Sequence, residues 1–470
     1  MAKILFIQLI SQPFQSMFYL CGALKNFQHE YRITISKDVE YILDQIEEFN
    51  PSLLGFSMYS GYHLECLEKI KEIRNKISIP VIVGGPHPTF FPEIIKSDGI
   101  DIVCRGEGEV ALVEIMDRID RGEDYNDVQN LLVKKPNGDY VTNDVRRLID
   151  PLDSLPFPDF GVYLKYPIIM DQLQPCITAV RGCPYSCTYC YNDGYQKIYR
   201  GKGKFVRTYS PERTISEIKE FLRIVPDARI VDFPGDCFGL KDKWLEELMP
   251  LYRNEIGLPF SCLYRPEIIT DKKARLLSSG GCYFVAFGIE SGSERIRKSI
   301  MKRSYSNEDV IRAAKTLKKH GIKFRAYNMV GLPTENYDDL WETVNLNIRI
   351  KPDMPWCSFY TPYPGTKLAK LCVEHGLVPR SYSADMLPGN FHLDSILDFE
   401  NRGDVINTHH FFQSMVLFPV LMPIWKLLMR LNIKKLNETW FKVVFLYCRI
   451  KSDRPRDLLK YSISMIKSRV

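Results

Sequence analysis

The stretch RGCPYSCTYCYN, Arg181–Asn192, places Cys183, Cys187 and Cys190 within eight residues. Thiolates so spaced hold zinc or iron–sulfur clusters. Structural zinc is normally closed by four ligands in two pairs, and this chain has neither a second C-x-x-C nor histidines at a matching distance. Three cysteines in one loop suit instead a [4Fe–4S] cluster with one iron left open for a substrate. The alternatives are a zinc site and three unrelated loop cysteines. Directly before the loop lies the apolar run CITAVRG, and after it come RIVDFPGD, FSCLYR, YFVAFGIE, FRAYNMVG and WCSFYTP. The first five of these six runs are each followed by a helical pattern, such as WLEELMPLYRN or SNEDVIRAAKTLKKHG. Six βα units over 171–377 predict a partial (β/α)6 TIM-like barrel with functional residues on the loops after the strands.

Toward the N-terminus, KILFIQLI, YRITIS, SLLGFSM, PVIVGG and IDIVCRG read as buried strands separated by helical stretches such as LECLEKIKEIRNKI. They predict an α/β domain over 1–145, a Rossmann-like, doubly wound, five-stranded parallel sheet. Such sheets bind ligands outside the carboxyl ends of their strands. VKKPNGDYVTN reads as a hairpin around Asn137-Gly138. IDPLDSLPFPDF, with three prolines, marks a linker over 146–170. Residues 378–470 read as a helical, basic and apolar C-terminal region. Within it FFQSMVLFPVLMPIWKLLMRL approaches the length of a membrane span, but Pro419, Pro423, Lys426 and Arg430 interrupt it. It is expected to form a helical cap on the open edge of the barrel, or else an interfacial helix.

At 470 residues, 45% hydrophobic and 26% charged, the chain is excluded from the collagenous, disordered and disulfide-scaffold classes. Its net charge of +6 is uneven: residues 401–470 hold 13 Lys and Arg against 4 Asp and Glu, and the remainder 50 against 53. No nucleic-acid partner is expected from so local a basic tail. The 13 cysteines are scattered apart from the one cluster, and ILFIQLI is too short for a signal-peptide core. A reducing cytoplasm is expected, with peripheral membrane contact through the C-terminal region as a further reading.

With Tyr189 just before the last cysteine, C-x-x-x-C-x-x-C resembles the signature of the radical S-adenosylmethionine (radical SAM) superfamily. The resemblance implies that S-adenosylmethionine chelates the open iron of a [4Fe–4S] cluster held by Cys183, Cys187 and Cys190. The reduced cluster would then split it to a 5′-deoxyadenosyl radical. Asp236 in DFPGDCF is implied to accept the methionine amino group, or else caps the next helix. Arg265 in LYRPE is implied to bind the methionine carboxylate, or else forms a surface salt bridge. Glu290 in FGIESGSE is implied to accept hydrogen bonds from the ribose hydroxyls. Gly331 in NMVGLPTE is implied to let the backbone lie along the adenine.

A doubly wound domain ahead of such a barrel resembles the cobalamin-binding subgroup, with FSMYS, VGGPHPT and RGEGE as its loops. The resemblance implies that Ser57, Gly84 and Gly85 line the slot for the dimethylbenzimidazole tail of cobalamin. The loop after the first strand, LISQPFQSMFYLCG, lacks D-x-H-x-x-G, so no histidine ligand to cobalt is expected from it. His87 follows the fourth strand and is read as satisfied locally. The expected function is methylation of an unactivated carbon of a small-molecule substrate, lipid-like where the tail meets a membrane. Methylcobalamin would donate the methyl group, and a reductase or a flavodoxin- or ferredoxin-type protein the electrons. The alternatives are cyclisation or ring rearrangement without methyl transfer, a cobalamin-dependent sensor, and a methylthiotransferase drawing a second cluster from Cys21, Cys66 and Cys104.

Overall fold

The computed structural model describes residues 1–171, 173–387, 395–431 and 433–452. The end of the basic tail, 453–470, lies outside the described residues. The first sheet comprises β1 (Lys3–Gln8), β2 (Glu30–Ile35), β3 (Leu53–Ser57), β4 (Val81–Gly84), β5 (Ile102–Cys104), β6 (Leu131–Lys134) and β7 (Tyr140–Thr142), in the order β2-β1-β3-β4-β5-β6-β7. β1 to β5 are parallel. Their apolar residues alternate between two cores: Ile4, Phe6 and Leu53 pack on one face, Leu5, Ile7 and Leu54 on the other. That is why these strands read as unbroken apolar runs.

The expected hairpin does not stand apart. β6 and β7 add antiparallel to the outer edge of β5 and extend the sheet to seven strands. An antiparallel hairpin satisfies an open edge without a crossover. Strand order reverses at β1, with β2 on one side and β3 on the other, so a crevice opens beyond their carboxyl ends.

β8 (Val180–Arg181) and β9 (Arg207–Thr208) pair antiparallel as a separate two-stranded sheet. The second large sheet comprises β10 (Val231–Phe233), β11 (Phe260–Tyr264), β12 (Cys282–Glu290), β13 (Lys323–Val330) and β14 (Met354–Phe359), parallel and in sequential order. The first barrel strand, read over CITAVRG, is reduced to one parallel bridge, Cys176 to Asp232. Its continuation is drawn away because Arg181 pairs with Glu109 and Glu107 of the first domain, at 2.7 and 3.5 Å. Helix starts along the barrel follow from capping chemistry. Ser210 and Thr270 accept hydrogen bonds from the N–H groups of Arg213 and Lys273. Ser306 with Asp309, and Asn336 with Asp339, close reciprocal capping boxes. These caps fix where each loop ends and hence how it approaches the strand ends.

The proline-rich segment is packed rather than free. Phe160 lies 4.4 Å from Phe221 and 5.3 Å from Phe18 between ring centroids. Arg213 donates to the carbonyls of Leu155 and Pro156 at 3.0 and 2.9 Å. One hydrophobic core therefore runs through both sheets. At the far edge, the helix Arg402–Leu417 lies on β14, and Gln413 Nε2 donates to the Pro355 carbonyl at 3.1 Å. The long apolar run of the tail is broken at Phe418–Leu421, where Pro419 brings no N–H. The helices Met422–Leu431 and Lys434–Ser452 follow, joined by Trp425 and Trp440 at 5.8 Å. Among the described residues no helix is long and apolar enough to cross a membrane.

Candidate active site

The cysteine loop begins two residues after β8 and ends on the helix Asn192–Ile198. Gln196 on that helix reaches back and donates to the carbonyls of Cys183 and Tyr185, at 2.8 and 3.1 Å, which fixes the curl of the loop. The three thiols line a cavity of about 400 Å³ at the carboxyl ends of the barrel strands. Each sulfur has a polar neighbour. Arg265 Nη1 donates to Cys187 Sγ at 3.2 Å, and the N–H and amide of Asn192 approach Cys190 Sγ at 3.5 and 3.6 Å. Cys237, four residues beyond β10, lies 3.8 Å from Cys183. That hydrogen bond draws the Cys183 thiol down to about 7, whereas burial pushes the Cys190 thiol up.

Among the described residues no three His, Cys, Asp or Glu side chains converge where one ion would be held. A polynuclear cluster asks for something different: thiolates on separate irons, with N–H groups donating to the sulfurs. The three cysteines with Arg265 and Asn192 fit that donor set.

Asp236 stands in the cavity wall but does not cap a helix. Its carboxylate accepts from the Gly182 N–H at 3.1 Å and the Asn192 amide at 3.0 Å, so it fastens both ends of the cysteine loop. Arg265 is buried rather than part of a surface pair. Besides Cys187 it reaches Glu267 at 2.6 Å and stacks 3.6 Å from the Tyr185 ring centroid. Glu290 ends β12 after a register shift, with a left-handed φ of +68°. Bulges and strained backbone of this kind re-aim side chains at functional loops. Its Oε1 accepts from Tyr189 at 3.0 Å and from Arg303 at 3.1 Å, while Arg303 also donates to the Tyr189 hydroxyl at 2.6 Å and the Gly288 carbonyl at 2.7 Å. Burial opposes charge on Arg303, but Tyr189, Tyr305 and Glu290 around it more than offset this. Burial raises the Tyr189 hydroxyl, which stays protonated as a donor.

Gly331, implied to let the backbone lie along the adenine, does not line this cavity. Its φ is +76°, a Cβ there would come within 3.0 Å of the Phe399 ring, and its N–H donates to buried Glu335 at 2.7 Å. Burial pushes the Glu335 carboxyl up to about 8.

A second cavity, about 560 Å³, opens between the two sheets at the switch-point crevice. Ser57, Gly84 and Gly85 all line it, and Ser57 and Gly84 are directly paired across β3 and β4. At Gly85, φ is +100° and a Cβ would stand 2.7 Å from the Met58 carbonyl, so a side chain would close this slot. His87 does not line the cavity. It is buried, hydrogen-bonded to Ser60 at 3.0 Å and stacked 3.8 Å from His63, and burial takes it down to about 3. The RGEGE loop supplies Glu107 and Glu109, held by Arg181 and Arg207 of the barrel, with Arg207 Nη1 at 3.0 Å from Glu107. Burial works against charge on Glu107, yet the two guanidiniums keep its carboxyl below the usual carboxylate range.

The two cavities share one wall, formed by Cys190, Asn192, Pro234, Gly235 and Asp236. Asn192, Cys237, Arg303 and the Arg181–Glu107 contact are absent from the sequence reading. Arg303 sits 13 residues past Glu290 in a run of basic residues with nothing local to single it out. Cys237 was visible within DFPGDCF as a cysteine beside an acid.

A doubly wound sheet whose crevice opens onto a cysteine-bearing partial barrel defines an enzyme with two adjoining cofactor compartments. Residues 177–346 match the radical SAM superfamily and residues 15–116 the B12 binding domain. The chain belongs to the cobalamin-binding radical SAM enzymes. The radical SAM domain implies a [4Fe–4S] cluster with S-adenosylmethionine, the B12 binding domain cobalamin. Over 379 residues the chain is 28% identical to an uncharacterized methyltransferase of Pyrococcus horikoshii, covering 77% of this chain and 78% of that one. Over 341 residues it is 25% identical to the anaerobic magnesium-protoporphyrin IX monomethyl ester cyclase of Rubrivivax gelatinosus, covering 70% of this chain and 60% of the cyclase. The solved structure of the cobalamin-dependent S-adenosylmethionine radical enzyme OxsB, with aqua-cobalamin and S-adenosylmethionine bound, matches at a TM-score of 0.70 and 15% identity, covering 99% of this chain and 75% of that one. At that identity the likeness is one of fold.

Proposed function

We propose that this enzyme methylates an unactivated carbon of a small-molecule substrate. The observation that carries the reading is the wall shared by the two cavities, which sets the corrin compartment against the cysteine compartment. When bound, the cluster with S-adenosylmethionine supplies a 5′-deoxyadenosyl radical and cobalamin supplies the methyl group. Cys183, Cys187 and Cys190 hold the cluster, and Arg265 and Asn192 stabilise the thiolates. Tyr189, Asp236, Arg265 and Glu290, with Arg303, form the S-adenosylmethionine pocket. Ser57, Gly84 and Gly85 receive the dimethylbenzimidazole tail. Phe90 stacked on Tyr191 at 4.4 Å closes the seam between the domains, which keeps water from a reactive radical. Electrons come from a reductase or a flavodoxin- or ferredoxin-type protein.

The methylthiotransferase reading finds no support in the placement of its cysteines. Cys21 and Cys104 pack on one face of the first sheet and Cys66 on the other. Cyclisation without methyl transfer is the second reading, favoured by the likeness to the Rubrivivax cyclase. The test uses anaerobically reconstituted protein with cobalamin, reductant and S-adenosylmethionine bearing a trideuterated methyl group. Deuterated methylcobalamin, S-adenosylhomocysteine and 5′-deoxyadenosine are expected together. 5′-Deoxyadenosine without label on cobalamin assigns the cyclase reading, and neither product leaves only a sensor.

A further inference from the structure

We infer that the outer face of the last two helices docks on an anionic lipid bilayer. On the helix Met422–Leu431, Trp425 is 5% exposed and turns inward. Ile424, Leu427 and Leu431, spaced i, i+3 and i+7, lie on the opposite face, and the two leucines are each 56% exposed. Val420, in the turn before, is 84% exposed. On the helix Lys434–Ser452, Leu436, Val443 and Leu446 repeat the pattern outward, while Val444 and Cys448 are buried. Both helices are thus apolar on two sides, whereas a helix packed on a domain surface normally turns a polar face to water.

The charges around this stripe indicate what covers it. Lys426 and Arg430 run beside the first apolar row, and Lys435 and Lys442, both exposed, flank the second. Between Val405 and Ser452 the sequence has seven Lys and Arg and a single acid, Glu438. Interface cores between proteins are depleted in lysine and take their partner's charges in kind. A bilayer accepts an apolar row below the headgroups with lysine and arginine at the level of anionic phosphates. Since no described helix can span, the contact is peripheral. It stands whether or not methyl transfer is the reaction.

Flotation of the full chain with vesicles of phosphatidylcholine, with and without about one third phosphatidylglycerol, tests the assignment. Wild-type protein is expected to float with the anionic vesicles and about ten-fold less with the neutral ones. The variant I424E/L427E/L431E is expected to lose binding by at least about ten-fold, with iron and cobalamin content unchanged as the check on folding. K426Q/R430Q/K435Q/K442Q is expected to lose the preference for anionic lipid, and deletion of 453–470 to retain flotation. No flotation of wild type, or full flotation of the triple glutamate variant, overturns the inference. So does loss of binding on deleting 453–470, which moves the contact to the tail. A wild-type dimer by light scattering that the triple glutamate variant renders monomeric assigns the face to a second copy, and also overturns it.

Discussion

The two cavities that meet at the Cys190–Asp236 wall are built by opposite means. The barrel side is made of side chains: thiols, two buried guanidiniums and a carboxylate, with Arg265 donating to Cys187 and Arg303 and Tyr189 donating to Glu290. Around β3 and β4 the first domain's side is made of backbone and of missing side chains, with Gly84 and Gly85 leaving room beside Ser57. One compartment binds by presenting groups, the other by withholding them. The lesson is that substitutions should fail differently on the two sides: removal of a group damages the first, and addition of a group damages the second.

The largest effect is expected on the side that presents groups. Cys187→Ala should lower iron from about four per chain to near zero and abolish 5′-deoxyadenosine, because the cluster loses one of its three proposed ligands; metal analysis checks this. Next comes the side that withholds them. Gly85→Val should weaken cobalamin binding by well over about ten-fold, since a Cβ meets the Met58 carbonyl and a branched side chain fills the slot. Iron content should not change, and retention of cobalamin by this variant would break the comparison.

Arg303→Met should act more moderately. It leaves the half-buried Glu290 without its cation, at a cost of about 2 kcal/mol in stability, and should slow 5′-deoxyadenosine release by about ten- to a hundred-fold while the cluster stays. Denaturant melts and single-turnover assays read the two effects. The smallest effect belongs to Cys237→Ala. Cluster content should hold, because Cys237 is a neighbour of a ligand rather than a ligand. In cluster-free protein Cys237 favours the thiolate of Cys183, which titrates near about 7, so the thiolate predominates above that pH and is lost below it. Removing Cys237 should return Cys183 toward an ordinary thiol and slow its alkylation at neutral pH by about an order of magnitude. Loss of iron in this variant would instead make Cys237 a fourth ligand and close the iron proposed to be open.

Much of this was legible along the chain. The C-x-x-x-C-x-x-C spacing, the five parallel strands of the first sheet and the strand-end positions of Ser57, Gly84, Glu290 and Arg265 all rest on local pattern. The hairpin was legible, but not its attachment to β5, which depends on an edge left open elsewhere. CITAVRG reads as a full strand, yet Arg181 is pulled toward Glu107 and Glu109, acids more than 70 residues away in sequence. Gly331 reads as a cavity glycine, and only packing reveals Phe399 and Val405 over it.

Cysteine spacing and strand periodicity are properties of neighbouring residues, so the sequence by itself determined the cysteine loop, the two fold classes and their order. Adjacency between loops is set by sheet register and by the core common to both halves. For that reason only the tertiary structure decided that one wall separates the two compartments, that Arg303 neutralises Glu290, and that the last helices turn an apolar face outward.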